Sequence, residues 1–306
     1  MNPTLHRSGR ADAGRGIELA YEANGDPAQP AVLLIMGLGM QLTSWPEPLV
    51  QALVERGLYV VRFDNRDAGL STQLEGQRGM SVPLAFVWAR FGLSVTAPYL
   101  LHDMARDTVG LLDALGIERA HLVGASMGGM IAQLLAVEFA DRVRSLVCLM
   151  TTSGDRHVGH SRWDATAALL RRPPPHATVD QLVEHYVRVF RVIGSPPGLN
   201  PGYALSDEEL RARLRLTFTR AWRPGGTLRQ MLAIVASGDR SDQLRRLQVP
   251  TLVLHGDADP LVPVAAGRDL ARKIPGARLR IIENMGHDLG PLALLAQEIG
   301  DFCLAH

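Results

Sequence analysis

Short apolar runs bounded by turn residues alternate, along most of this chain, with segments of helical spacing. The runs fall at residues 17–22, 31–36, 59–63, 120–124, 145–150, 251–255 and 278–282, and most are rich in Val, Leu and Ile without polar alternation. That is the pattern of strands covered on both faces. Helical spacing marks 46–56, 101–115, 127–139, 264–273 and 291–304. In the third of these, Met127, Met130, Ile131, Leu134 and Leu135 share one face, which should lie on the sheet. The arrangement implies an α/β fold with a mostly parallel central sheet flanked by helices. A length of 306 residues, 46% of them hydrophobic, is enough to bury a large core.

The rhythm breaks between about 152 and 247, where an arginine-rich stretch carries helical periodicity at 179–192, 207–221 and 227–237. Loops of that length rarely lack structure of their own, so this segment reads as an inserted helical lid. The expected organisation is a first part of the core at 1–151, a lid at 152–247 and a second part of the core at 248–306. Residues 80–101 form a further apolar stretch in which Arg90 is the one charged side chain. Pro83, Pro98 and Arg90 argue against membrane insertion, and a buried or site-lining helix is expected, with a homodimer or lipid contact as the alternative. The net charge of +1 gives no support for a nucleic-acid or polybasic membrane partner. Cys148 and Cys303 lie in apolar runs and read as buried thiols rather than a disulfide. The first residues contain no apolar leader, so a cytoplasmic protein is expected.

Residues 122–130 read LVGASMGGM. Gly124-Ala125-Ser126-Met127-Gly128 is a G-x-S-x-G match placed immediately after an expected strand and before an expected helix. A strand that turns straight into a helix forces a strained backbone at the turn residue and leaves no room for side chains on its flanks. A serine that merely capped the helix would need neither glycine. Ser126 is therefore a candidate nucleophile at a helix N-terminus, with the Met127 amide as one donor to a developing oxyanion.

A serine hydroxyl needs a base to remove its proton and a third group to orient that base. Past the run ending at His255 come Asp257 and Asp259, and past the run ending at Ile282 come Gly286 and His287. Both loops follow the C-terminal ends of strands, where sites in open α/β sheets assemble. His287 alone among the ten histidines combines that position with a preceding glycine.

From these motifs the chain resembles the α/β-hydrolase fold family. The resemblance favours Asp259 over Asp257, because the acid of the family's G-x-x-D-x-x-x-P loop falls there. The loop Met36-Gly37-Leu38-Gly39-Met40 is similar to the family's H-G-x-G loop, with methionine in place of histidine, which implies the Leu38 amide as the second oxyanion donor. Asp64 to Ser71, reading DNRDAGLS, is similar to the family's D-x-R-G-x-G-x-S loop, and Asp64, Arg66 and Ser71 are expected to be structural. The nearest group by its methionine-glycine loop is the aclacinomycin methylesterase-like esterases. The implied activity is serine-dependent hydrolysis of a small-molecule carboxylic ester by Ser126, His287 and Asp259, with no cofactor and no metal. Hydrolysis of carbon-carbon bonds, perhydrolysis and ligand binding without turnover are the alternatives on the same scaffold. Gly37, Leu38, Met40, Trp45, Met127, Met150, Leu261 and Val262 flank the candidate site and are expected to form an apolar wall suited to hydrophobic esters. The lid segment 152–236 holds twelve arginines against seven acids, a hint of tolerance for anionic substrates although such a run is usually a solvated face.

Overall fold

The computed structural model describes residues 5–200 and 202–306. Among them, eight strands are formed by His6–Asp12 (β1), Glu18–Asn24 (β2), Ala31–Ile35 (β3), Tyr59–Phe63 (β4), Ala120–Ala125 (β5), Val143–Leu149 (β6), Thr251–Gly256 (β7) and Arg278–Ile282 (β8). They make one sheet in the order β1-β2-β4-β3-β5-β6-β7-β8. The β1–β2 and β2–β4 pairs are antiparallel and the rest parallel. β1 has no counterpart in the sequence reading. Its residues, HRSGRAD, are polar and only Ala11 is buried, as an edge strand allows and periodicity does not reveal.

The helices are Glu47–Glu55 (α1), Val82–Arg90 (α2), Leu101–Ala114 (α3), Met127–Glu138 (α4), Trp163–Leu170 (α5), Val179–Ile193 (α6), Asp207–Arg220 (α7), Pro224–Ser237 (α8), Ser241–Leu244 (α9), Val264–Lys273 (α10) and Leu292–Leu304 (α11). Alternate residues of β3 enter opposite layers: Leu33 and Ile35 pack with α3, α4 and α10, and Val32 and Leu34 with α1 and α11. Each such Leu or Ile, fully buried, contributes about 1.5–3 kcal/mol. The expected face of α4 is buried, and so is every residue of that helix from Met127 to Ala136. Cys148 and Cys303 are buried and unpaired, and burial pushes each thiol up to about 12.

Strand order reverses at β3, with β4 on one side and β5 on the other, which opens a crevice beyond their carboxyl ends. The loop after β3 and the turn after β5 both empty into it.

Helices α5 to α8 lie between β6 and β7 and form a helical insertion. α6 and α7 share a small core of Leu182, Val183, Val187, Leu210, Leu214 and Phe218. The insertion is fastened to the sheet domain by buried polar groups. Arg220 Nη1 donates to Asp64 Oδ2 at 2.7 Å and to Gln41 Oε1 at 2.6 Å, and Arg229 forks onto Asp67 at 2.8 and 2.6 Å. Within the sheet domain, Arg66 forks onto Asp107 at 2.5 Å, and Ser71 Oγ donates to the Asp64 carbonyl at 2.5 Å. Asp64, Arg66 and Ser71 are thus loop braces.

The apolar stretch 80–101 departs from expectation. Its one helix, α2, spans only nine residues, Val82 and Ala85 pack against Met231 and Leu232 of α8, and Leu84, Phe86, Val87 and Phe91 are exposed. It is neither a buried helix nor a site-lining one. None of the described helices is long and apolar enough to cross a membrane.

Candidate active site

Ser126 joins β5 to α4 with φ 55° and ψ −118°, a conformation that non-glycine residues rarely adopt. Close packing on both sides enforces it. A Cβ on Gly124 would stand 2.4 Å from the Gly128 carbonyl oxygen, and one on Gly128 would stand 2.0 Å from that of Ile35. The two glycines thus let the turn close against β3, and the Ser126 amide donates to the Leu149 carbonyl at 2.9 Å. The hydroxyl is left at the mouth of the crevice.

His287 and Asp259 arrive from the loops after β8 and β7. His287 Nε2 lies 3.0 Å from Ser126 Oγ, and its Nδ1 lies 2.6 Å from Asp259 Oδ2. Asp259 is buried, and its Oδ1 accepts from the amides of Leu261 and Val262 at 2.9 and 2.8 Å. These bonds fix one carboxylate oxygen and aim the other at the imidazole. Asp257 instead accepts from the Asn284 amide at 2.7 Å, and Asp155 pairs with Lys273 at 2.8 Å, so neither touches His287. Behind Asp259, His255 is fully buried and donates Nε2–H to the Val262 carbonyl at 2.7 Å; burial lowers its pKa.

The His287 loop is also tied to the insertion. The Ser195 amide and hydroxyl donate to Asp288 at 2.5 and 2.7 Å, the Gly286 amide donates to Ser195 Oγ at 2.9 Å, and the His287 amide donates to the Ile193 carbonyl at 2.7 Å. Sequence reasoning missed this brace, whose one outward sign is that Asp288 follows His287.

The amides of Leu38 and Met127 have no hydrogen-bond acceptor among the described residues. Gly37 approaches so closely that a Cβ there would stand 3.2 Å from that of Ser126. Met36 leaves the loop without a histidine anchor. Asn65 Nδ2 donates to the Met36 carbonyl at 3.0 Å, and the Gly39 amide donates to Gln230 Oε1 at 2.8 Å. Those two side chains hold the loop.

Ser126 and His287 face a cavity of about 690 Å³. Gly37, Leu38, Met40, Met150, Leu261 and Val262 line it. Trp45 does not. The short 3₁₀ turn Leu42–Ser44 swings its indole into the core, where it is fully buried beside Leu49 and Leu53. The Met127 side chain likewise enters the core beneath the sheet's other face. Much of the remaining wall comes from the insertion, with Tyr186, Phe218 and Trp222 meeting edge-on or tilted at centroid distances of 5.0–5.7 Å. No spacing signal singled these three out from ordinary helix core. Among the described residues no group of three or more His, Cys, Asp or Glu side chains is placed to hold a metal ion.

A family model described as the alpha/beta hydrolase fold matches residues 30–291. The chain belongs to that family. It is 30% identical over 298 residues to rhodomycin D methylesterase DnrP of Streptomyces peucetius, covering 91% of each protein. It is 25% identical to 3-oxoadipate enol-lactonase 2 of Acinetobacter baylyi over 268 residues, 87% of this chain and 85% of that one. The enol-lactonase structure from Burkholderia xenovorans LB400 superposes with a TM-score of 0.72 at 25% identity, covering 97% of this alpha/beta hydrolase and all (100%) of that chain. The 2-hydroxy-6-oxo-6-phenylhexa-2,4-dienoate hydrolase of Rhodococcus sp. strain RHA1 shares the fold, with a TM-score of 0.74 at 21% identity over 98% and 99% of the two chains.

Proposed function

We propose that this alpha/beta hydrolase is a serine esterase that cleaves carboxylic esters through an acyl-enzyme, with Ser126 as nucleophile, His287 as base and Asp259 as its orienting acid. The observation that carries the reading is the continuous chain of two hydrogen bonds from Ser126 Oγ through His287 to Asp259, 3.0 and 2.6 Å long. His287 Nε2 takes the hydroxyl proton as Ser126 Oγ attacks the ester carbonyl, and Asp259 stabilises the imidazolium that forms. The oxyanion receives hydrogen bonds from the Leu38 and Met127 amides, which have no acceptor among the described residues. His287 then gives the proton to the departing alkoxide oxygen. A water, deprotonated by the same nitrogen, attacks the acyl-enzyme and releases the carboxylic acid.

The apolar wall of the cavity favours hydrophobic esters of small to medium size, and the methylesterase likeness makes methyl esters the first alcohol side to try. The helices between β6 and β7 act as the lid, carrying the distal wall while the sheet domain carries the chemistry.

Two measurements test this. A fluorophosphonate probe is expected to label the wild type at one site and to leave Ser126→Ala unlabelled; an unlabelled wild type would overturn the proposal. A panel of p-nitrophenyl and methyl esters of rising acyl length, run beside a β-diketone, is expected to show turnover of esters and none of the diketone.

A further inference from the structure

α7 presents Leu210, Leu214, Thr217 and Phe218 inward, and residues three and four apart on a helix share a face. Arg213 sits in that stripe, where an apolar residue would be expected, and it lines the cavity. Six of the twelve arginines at 152–236 pair with acids, Arg162 with Asp164 among them. Arg191 pairs with Asp207, Arg211 with Glu184, Arg215 with Asp180, and Arg220 and Arg229 reach the sheet domain. Arg213 is half-buried, and among the described residues no acid or carbonyl holds its guanidinium. Burial without a partner lowers its pKa from the usual arginine value.

The two acids that line the cavity, Glu209 and Asp288, are already engaged. Glu209, one turn earlier, caps α7 by accepting from the Ser206 amide and hydroxyl at 2.9 and 2.7 Å. Asp288, the other acid on the cavity wall, accepts from Ser195. A desolvated guanidinium with two free donor edges is costly until an acceptor arrives, and a carboxylate fits its fork in a bidentate geometry.

We propose that Arg213 binds a carboxylate carried by the substrate itself, so that the preferred substrates are anionic esters: monoesters of dicarboxylic acids whose connecting body packs on Tyr186, Phe218 and Trp222. This rests on the ester-hydrolase reading of the site and adds to it the charge of the substrate. Arg213 contributes selectivity and takes no part in bond making.

The experiment compares p-nitrophenyl monoesters of dicarboxylic acids of six to ten carbons with neutral p-nitrophenyl esters of matched length. In the wild type the anionic member of at least one pair is expected to have the higher kcat/KM. That anionic-to-neutral ratio should fall about tenfold or more in Arg213→Met and Arg213→Gln, and less in Arg213→Lys. A ratio that is the same in wild type and in folded Met and Gln variants overturns the proposal. Calorimetric titration of the monomethyl esters of the same diacids into Ser126→Ala, with and without Arg213→Gln, gives a readout that needs no turnover, and equal affinities would likewise sink it. Failure of the wild type to cleave any ester overturns the hydrolase reading, while the titration still decides Arg213.

Discussion

At Ser126 the backbone and the chemistry make opposite demands. A side chain at φ 55° and ψ −118° costs about 1–3 kcal/mol, and glycine adopts that conformation freely. Ser126→Gly is therefore expected to abolish ester cleavage and to stabilise the fold by about 1 kcal/mol, raising Tm by about 2 °C, while Ser126→Ala is equally inactive without that gain. Paired thermal melts check this, and a Ser126→Gly melt at or below that of Ser126→Ala would mean the turn is not strained. The flanking glycines were legible in the sequence because their reason is local: each faces backbone a few residues away or on the adjoining strand. Trp45 was misread for the opposite reason. It is close in sequence to the Met36 to Met40 loop, but one 3₁₀ turn reverses the direction of its side chain, and neighbourhood in sequence carries no such information.

At the level of elements, the buried parallel strands and the helices on them could be read because their apolar content leaves them no other environment. β1 and α2 could not, since a polar edge strand and an exposed apolar helix both contradict their own patterns. The strand pair β5–β6 conceals another polar contact. His121, the second residue of β5, lies buried opposite Ser145, with its Nδ1 2.8 Å from the serine Oγ. Burial first, then the charges of Arg144, His306 and Arg119, lowers its pKa to about 4. In the unfolded chain it titrates near 6.5, so between those values only the unfolded state binds this proton, and stability is lost as pH falls from about 6.5 towards 4. The loss from this residue approaches about 3 kcal/mol at the acid end. Buried His255 and His185, whose pKa values are also lowered chiefly by burial, act in the same direction. Urea unfolding across that pH range is expected to show a shallower acid slope for His121→Gln than for the wild type. Parallel slopes would show that His121 does not titrate with unfolding.

Across the whole molecule, the break in strand rhythm revealed that a helical segment intervenes between β6 and β7, but not what fastens it. Arg220 and Asp64 are 156 residues apart, and neither position announces the other. Their contact is nonetheless one of the joints that hold the distal wall of the cavity, because Arg220 ends the helix that carries Arg213 and Phe218. Asp64 is fully buried, accepts from the Leu42 and Leu70 amides at 2.7 and 2.9 Å, and its carboxyl is pushed up by that burial against the pull of Arg220. Arg220→Gln strands that carboxylate and should cost about 3–5 kcal/mol in urea unfolding. Adding Asp64→Asn removes the stranded charge and should restore a large part of the loss, since a buried polar pair costs less than a lone buried ion. If the insertion serves as a lid, the single variant should also lower the anionic-to-neutral ester ratio described for Arg213, because α7 loses its anchor while Ser126, His287 and Asp259 stand on loops of the sheet domain. A destabilised Arg220→Gln that keeps the wild-type ratio would place the insertion's role in folding alone, and α7 would then hold its face to the cavity through its packing with α6.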